Sequence, residues 1–185
     1  IIFQTTGNTQ SKAILLATGS YYTHMGIIKK TGDNKYVVVE AVGPVKETPL
    51  DEWIERGIAE RITIMRMPGL SNAKIQQVLS SAEPFYGRGY DIHFSFDNEE
   101  MYCSELVYEA YKEAGIILGK VEKFKELNLN NAAAKNVIER RWKTYPLCKE
   151  VKEFEQCYEI LLEQSLITPV AIAEDEKLEL IYSNY

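Results

Sequence analysis

Three side chains from distant parts of the chain could carry chemistry together: Cys103, His24 and Glu40. Cys103 stands just before Ser104 to Ala114, where Leu106, Val107, Ala110, Tyr111 and Ala114 recur at helical spacing and Gly115 ends the run. A cysteine opening a helix meets the positive end of the helix dipole and unpartnered backbone amides, both of which favour the thiolate. On its own, an isolated cysteine also reads as a small buried apolar residue. What would make it a nucleophile is a base within reach, oriented by a third group.

His24 and Glu40 can supply base and orienting group. Thr23 to Lys29 and Lys35 to Val42 are β-rich runs, separated by Lys30-Thr31-Gly32-Asp33-Asn34, whose Gly, Asp and Asn are turn formers. If those five residues form the hairpin loop, Lys29 pairs with Lys35 and His24 faces Glu40, with Cβ atoms about 4.5 to 5.5 Å apart. A one-residue slip would send the two side chains to opposite faces, whereas a two-residue change of loop length keeps them together. Glu40 closes the apolar run Val37-Val38-Val39, so a carboxylate buried there needs a partner. The alternative is a solvent-facing glutamate beside an incidental histidine.

The elements that must position these residues are legible as patterns. Ile1 to Thr5 reads as a strand and Ser11 to Thr18 as a short helix stopped by Gly19-Ser20. Thr48 reads as an N-cap with Pro49 at the first helical position and Gly57 as the stop, and Arg61 to Met67 as a further strand ending at Pro68-Gly69. Ser71 caps a helix from Asn72 to Glu83, with Ile75, Val78, Leu79 and Ala82 on one stripe. Helices are expected over Asn131 to Trp142 and Lys149 to Glu163, and strand character over Leu178 to Tyr182.

Composition narrows the function classes. The 185 residues fit one domain, expected to span 1–185 with helical additions after about residue 119, and 45% hydrophobic with 26% charged residues is a globular composition. A balance of 21 basic against 27 acidic residues, a formal charge of −6, speaks against a nucleic-acid partner. No apolar run approaches the roughly 18 to 20 residues that span a bilayer, so no transmembrane segment is expected. From the abrupt apolar start at Ile1, the expectation is an upstream segment that has been removed or left out, with a signal peptide as one candidate.

Other motifs offer less. His93, between Ile92 and Phe94, reads as structural, and Gly87-Arg88-Gly89 lacks the strand-to-helix context of a phosphate loop. Two distant histidines and three scattered cysteines give no zinc-like spacing, so neither a metal nor another cofactor is expected. If Cys148 and Cys157 share one continuous helix, they lie about 13 Å apart, beyond disulfide reach. Lys149 to Glu155 reads as a solvated helix face.

Four segments together resemble one family: Ile1-Ile2-Phe3-Gln4, Tyr22-Thr23-His24-Met25-Gly26-Ile27, Glu40-Ala41-Val42-Gly43-Pro44-Val45 and Tyr102-Cys103-Ser104-Glu105-Leu106-Val107. They are similar to the YiiX-like branch of the permuted papain-fold cysteine amidases and peptidases, within the NlpC-type superfamily. The likeness runs from the first residue to about Tyr111 and more loosely to Ile167-Thr168-Pro169, and it departs in lacking the usual Gly-Asp before the first strand. It implies an α/β (α+β) fold in circularly permuted order, with an antiparallel sheet or small barrel packed against helices. By the same resemblance Cys103 is the nucleophile, His24 the base and Glu40 the third polar member, and export to the periplasm or cell exterior is favoured over the cytoplasm.

The resulting expectation is a cysteine hydrolase that cleaves an amide in a peptide, cell-wall peptide or N-acyl substrate through a thioester. The Cys103 N–H would hold the oxyanion, with a second donor from Gln4, Tyr22 or Tyr102. The alternatives are a lipid acyl hydrolase or acyltransferase using the same triad, and a binding module without turnover. Specificity is expected to lie in loop 86–101 and in the helices after Gly119.

Overall fold

The computed structural model describes residues 1–96 and 99–185, so part of the loop expected to set specificity, residues 97 and 98, lies outside the described residues. The chain runs β1 (Ile2–Thr6), α1 (Thr9–Thr18), β2 (His24–Lys30), β3 (Tyr36–Ala41), β4 (Val45–Pro49), α2 (Leu50–Glu55), β5 (Gly57–Arg66), α3 (Asn72–Ala82) and α4 (Cys103–Glu113). It continues through β6 (Glu122–Lys123), α5 (Ala132–Arg141), α6 (Phe154–Leu162), β7 (Ser165–Leu166), α7 (Pro169–Ala173) and β8 (Glu179–Ser183). Strands pair in the order β4-β3-β2-β1-β5-β8, every pair antiparallel, while β6 and β7 form a separate ribbon. This is the expected mixed fold, with the sheet open and β4 and β8 at its edges.

Strand alternation divides the interior in two. Ile1, Phe3, Met25, Ile27, Val39 and Ala41 point into the main core, where α3 and α4 cover the sheet with Val78, Leu79, Leu106, Val107 and Ala110. Ile2, Val38 and Ile62 point to the opposite face, where α2 seals a smaller core around the fully buried Trp53. Glycine at position 26 is what lets β2 and β3 lie so close. A Cβ there would run into the Val38 side chain and the Val39 carbonyl, which gives the His24-Met25-Gly26 motif a steric reason.

The hairpin carries a correction. Lys30 pairs with Tyr36 and Lys29 with Val37, so the loop is 31–35 and the register differs by two from the expected Lys29–Lys35 pairing. The turn sets this: Thr31 N–H donates to the Lys35 carbonyl at 2.9 Å, Asn34 takes φ +62°, and the Asp33 carboxylate accepts from the Thr31 hydroxyl. Because the difference is even, His24 and Glu40 stay on one face, as diagonal rather than directly opposed neighbours.

Two further expectations change. Thr48 is not a helix cap: Val45–Pro49 is a strand, polar because it lies at an edge, and the helix begins at Leu50. The expected helix over Lys149 to Glu163 begins only at Phe154, and Cys148 sits on a preceding 3₁₀ turn, Pro146–Cys148. The chain therefore turns back between the two cysteines, which form a disulfide with Cα atoms 5.3 Å apart. This bridge closes a sequence separation of 9 residues, and loop-closure entropy for so short a ring is worth about 2 to 3 kcal/mol. A C148S/C157S variant is expected to lose about that much unfolding free energy in urea titration. An unchanged midpoint would mean that packing alone holds this segment.

Candidate active site

Cys103 is the first residue of α4, and the sequence builds that helix start firmly. Tyr102 N–H donates to the Glu105 carboxylate at 3.3 Å, a reciprocal cap. The Ser104 hydroxyl donates to the Ile167 carbonyl at 2.8 Å, and the Tyr102 hydroxyl accepts from Ile167 N–H at 3.0 Å. The turn that carries Cys103 is thus tied to a segment more than sixty residues further on.

His24 opens β2, so its ring stands at the end of the sheet where α4 also arrives. The ring is hydrogen-bonded to Glu40 through Nε2 to Oε2 at 2.6 Å and lies beside Cys103 on its other side. With Nε2 so engaged, Nδ1 is the nitrogen left for the sulfur. Met25 N–H and the Tyr90 hydroxyl also lie close to the sulfur.

Behind the histidine, Glu40 is fully buried and completely partnered. Its Oε2 also accepts from Trp53 Nε1 at 2.9 Å, and its Oε1 from the Thr48 hydroxyl at 2.6 Å and from the Arg56 guanidinium. The Trp53 indole lies nearly parallel to the His24 ring at 5.8 Å between centroids, which fixes the plane of the imidazole.

These contacts set the charges. Burial alone would strip His24 of its proton, but hydrogen bonds and charge attraction from Cys103 and Glu40 outweigh it and raise its pKa to about 9. Burial likewise opposes ionisation of Cys103, yet His24, Met25 N–H and Ser104 draw its pKa below the ordinary thiol value. Glu40 is also held below its ordinary value, against burial, by His24, Thr48 and Arg56. The arrangement favours the ionised thiol and the protonated imidazole, with a carboxylate behind them.

The expected second donors lie elsewhere. Tyr22 gives its hydroxyl to Thr63 at 3.1 Å, and Tyr102 is engaged with Ile167. Gln4 pairs with His24 across the strands, but its buried amide lies against Gly57 and makes no hydrogen bond. Tyr90 occupies the position beside the sulfur instead. Sequence pattern gave no sign of it, because loop closure places it: Met101 N–H donates to the Gly89 carbonyl at 2.9 Å, and Asp91 N–H to the Met101 carbonyl at 3.2 Å. Trp53 and Arg56 were equally hidden, since their link to Glu40 depends on how α2 docks.

His93 bonds Thr144 through Nε2 at 2.9 Å and packs edge-on against Tyr145. The structure also brings its Nδ1 near the carboxylates of Asp91 and Glu100, with one ligand atom from each residue all within 4.8 Å of one another. Asp91 accepts from the backbone N–H groups of His93 and Ser95 as well.

Residues 1–182 match the family model described as permuted papain-like amidase enzyme, YaeF/YiiX, C92 family. The chain belongs to this family. The uncharacterized protein YiiX of Escherichia coli (strain K12) is 39% identical over 150 residues, covering 80% of this chain and 74% of that protein. A solved structure, described as that of metalloprotein yiiX from Escherichia coli O157:H7, superposes with a TM-score of 0.87 at 33% identity, covering 100% of this chain and 95% of that one. A permuted papain-like fold accounts for the order seen here, in which the histidine strand precedes the cysteine helix.

Two outcomes follow from the charge arrangement. Iodoacetamide alkylation of Cys103 should slow much less between pH 8 and pH 6 than that of a thiol of ordinary pKa, about 8.5, which would slow by about two orders of magnitude. His24→Gln should restore that steep slope. Glu40→Ala strands buried donors and should lower unfolding free energy by about 3 to 5 kcal/mol in denaturant titration. The carboxylate's contribution is present above its unfolded pKa and is lost as pH falls through its lowered folded value.

Proposed function

We propose that the protein is a cysteine amidase that works through a thioester, with Cys103 as nucleophile, His24 as general base and acid, and Glu40 as the group that orients the histidine. The observation that carries this reading is the buried imidazole of His24, hydrogen-bonded to the Glu40 carboxylate and standing beside the Cys103 thiol. The thiolate attacks the amide carbonyl, and the His24 imidazolium passes its proton to the departing nitrogen. Neutral His24 then activates water against the thioester.

Charge developing on the carbonyl oxygen would be met by the Cys103 N–H, an amide without an intrahelical acceptor, and by the Tyr90 hydroxyl, which Gln10 Nε2 supports at 3.3 Å. The description of the Escherichia coli structure calls that protein a metalloprotein, and the residues of this chain that could hold a metal ion are Asp91, Glu100 and His93. Bound there, it would pin the loop that carries Tyr90. The Cys148–Cys157 disulfide supports an oxidising compartment, periplasmic or extracellular. A second reading, acyl transfer or ester hydrolysis on a lipid by the same residues, draws support from an apolar slot beside Cys103.

The test is turnover of acyl and peptide p-nitroanilides with mass analysis of the quenched enzyme. An acyl adduct on Cys103 is expected, absent in Cys103→Ala, and an adduct that persists in that variant would remove Cys103 from its role. Tyr90→Phe should lower kcat about a hundredfold with little change in KM. As His24 loses its proton, kcat/KM should fall through about pH 9, and the acid limb should lie below the ordinary thiol range.

A further inference from the structure

The Tyr90 hydroxyl beside the sulfur ends a chain of hydrogen bonds that crosses the polar cleft lined by His24. Gln10, in the first turn of α1, gives Nε2–H to the Tyr90 oxygen at 3.3 Å. Arg141, the last residue of α5, gives Nη1–H to Gln10 Oε1 at 2.9 Å and to the Ile92 carbonyl at 3.0 Å. The turn that carries Gln10 is itself fixed, since the Asn8 side chain caps α1 by accepting from Ser11 N–H at 2.8 Å. Three segments distant in sequence thus meet in one directed line.

The direction is set at the far end. A guanidinium has only donors, so Gln10 must turn its amide oxygen to Arg141. Its nitrogen then faces Tyr90, and that nitrogen can only donate. The Tyr90 oxygen must therefore accept, which excludes its own hydrogen from the Gln10 side and leaves the sulfur side for it. Burial, together with the neighbouring sulfur, holds the Tyr90 pKa well above its ordinary value, so the hydrogen stays on the oxygen. A donor into that oxygen also polarises the O–H bond and strengthens what it offers. Without the arginine, the amide could face Tyr90 by either end.

We infer that Arg141 and Gln10 are positioning residues that aim the Tyr90 hydrogen at the oxyanion formed when Cys103 attacks a carbonyl. This rests on the role given to Tyr90 above and names what orients it. In the step itself, sulfur bonds to the carbonyl carbon and the C=O electron pair moves to oxygen. Tyr90 gives that oxygen a hydrogen bond without losing its proton, and collapse of the adduct expels the leaving group.

The experiment divides two rates of the same thiol. With p-nitrophenyl acetate, Cys103 is acylated through an oxyanion and p-nitrophenolate leaves, whereas iodoacetamide alkylates it by displacement of iodide, with no oxyanion. The ratio within one protein cancels differences in folded fraction and in thiolate content. Tyr90→Phe should lower the ratio at least about tenfold. Gln10→Glu should lower it as much, because a carboxylate accepts from Arg141 and Tyr90 alike and draws the hydroxyl hydrogen away from the sulfur. A merely structural role predicts no such loss, since that substitution gives Arg141 an ion pair. Added to Tyr90→Phe, Gln10→Glu should change nothing further. Arg141→Met, which frees the amide to turn, should cost about two- to threefold, and Arg141→Lys, again only a donor, should recover it. A wild-type ratio in Gln10→Glu, or a further fall when it is added to Tyr90→Phe, would overturn the inference and leave the amidase reading standing. A wild-type ratio in Tyr90→Phe removes Tyr90 as the oxyanion donor and the relay with it. A Cys103 that neither reagent modifies sinks the amidase reading as well.

Discussion

The site depends on a charge taken out of water. Glu40 is fully buried, and an isolated carboxylate in such a place would take up a proton. It stays ionised because four donors converge on it: the His24 ring, the Trp53 indole, the Thr48 hydroxyl and the Arg56 guanidinium. That anion then makes a buried imidazolium tolerable, and the imidazolium makes a buried thiolate tolerable. Burial opposes every one of the three charges, so the state exists only as a set.

Much of this was legible in the sequence because it rests on periodicity. A strand alternates sides every residue, so His24 and Glu40 could be placed on one face from the hairpin pattern even though the register differed by two. Parity survived an error that would have defeated a claim about direct pairing. Cys103 at a helix start was readable for a similar reason, since the apolar stripe after it and Gly115 bounded the helix from both ends. The polar edge strand β4 was not readable, because at an edge the alternation between buried and exposed positions carries little hydrophobic contrast.

What escaped was everything set by closure between distant segments. Tyr90 reaches the sulfur because its loop returns on itself at Gly89 and Met101, and because Gly43, at φ +77°, leaves room where a Cβ would stand 3.2 Å from the Tyr90 Cβ. The disulfide escaped for a related reason: the lysine and glutamate run before Phe154 suits a helix well enough that the actual start, and the turn linking Cys148 to Cys157, left no signature. Local propensity constrains elements, whereas such contacts depend on how elements dock.

The docking also explains why the apolar cleft lined by Cys103 differs from the polar cleft lined by His24, Tyr90, Gln10 and Arg141. Helix α1 has only Ser11 and Ala13 buried, so it acts as a partition more than as a core element. Gln10, in its polar first turn, faces Tyr90 and Arg141, while Ala13 and Ala17, three and seven residues further along the same stripe, line the apolar slot. The far wall of that slot includes Ile138 and Tyr145, which belong to the small core packed around the Cys148–Cys157 bridge. The disulfide thus braces a wall of the apolar cleft beside Cys103 without touching Cys103 or His24. In this fold the sheet and α4 hold the charged line that could break a bond, and the segments added around α1, α5 and α6 shape what can be brought to it.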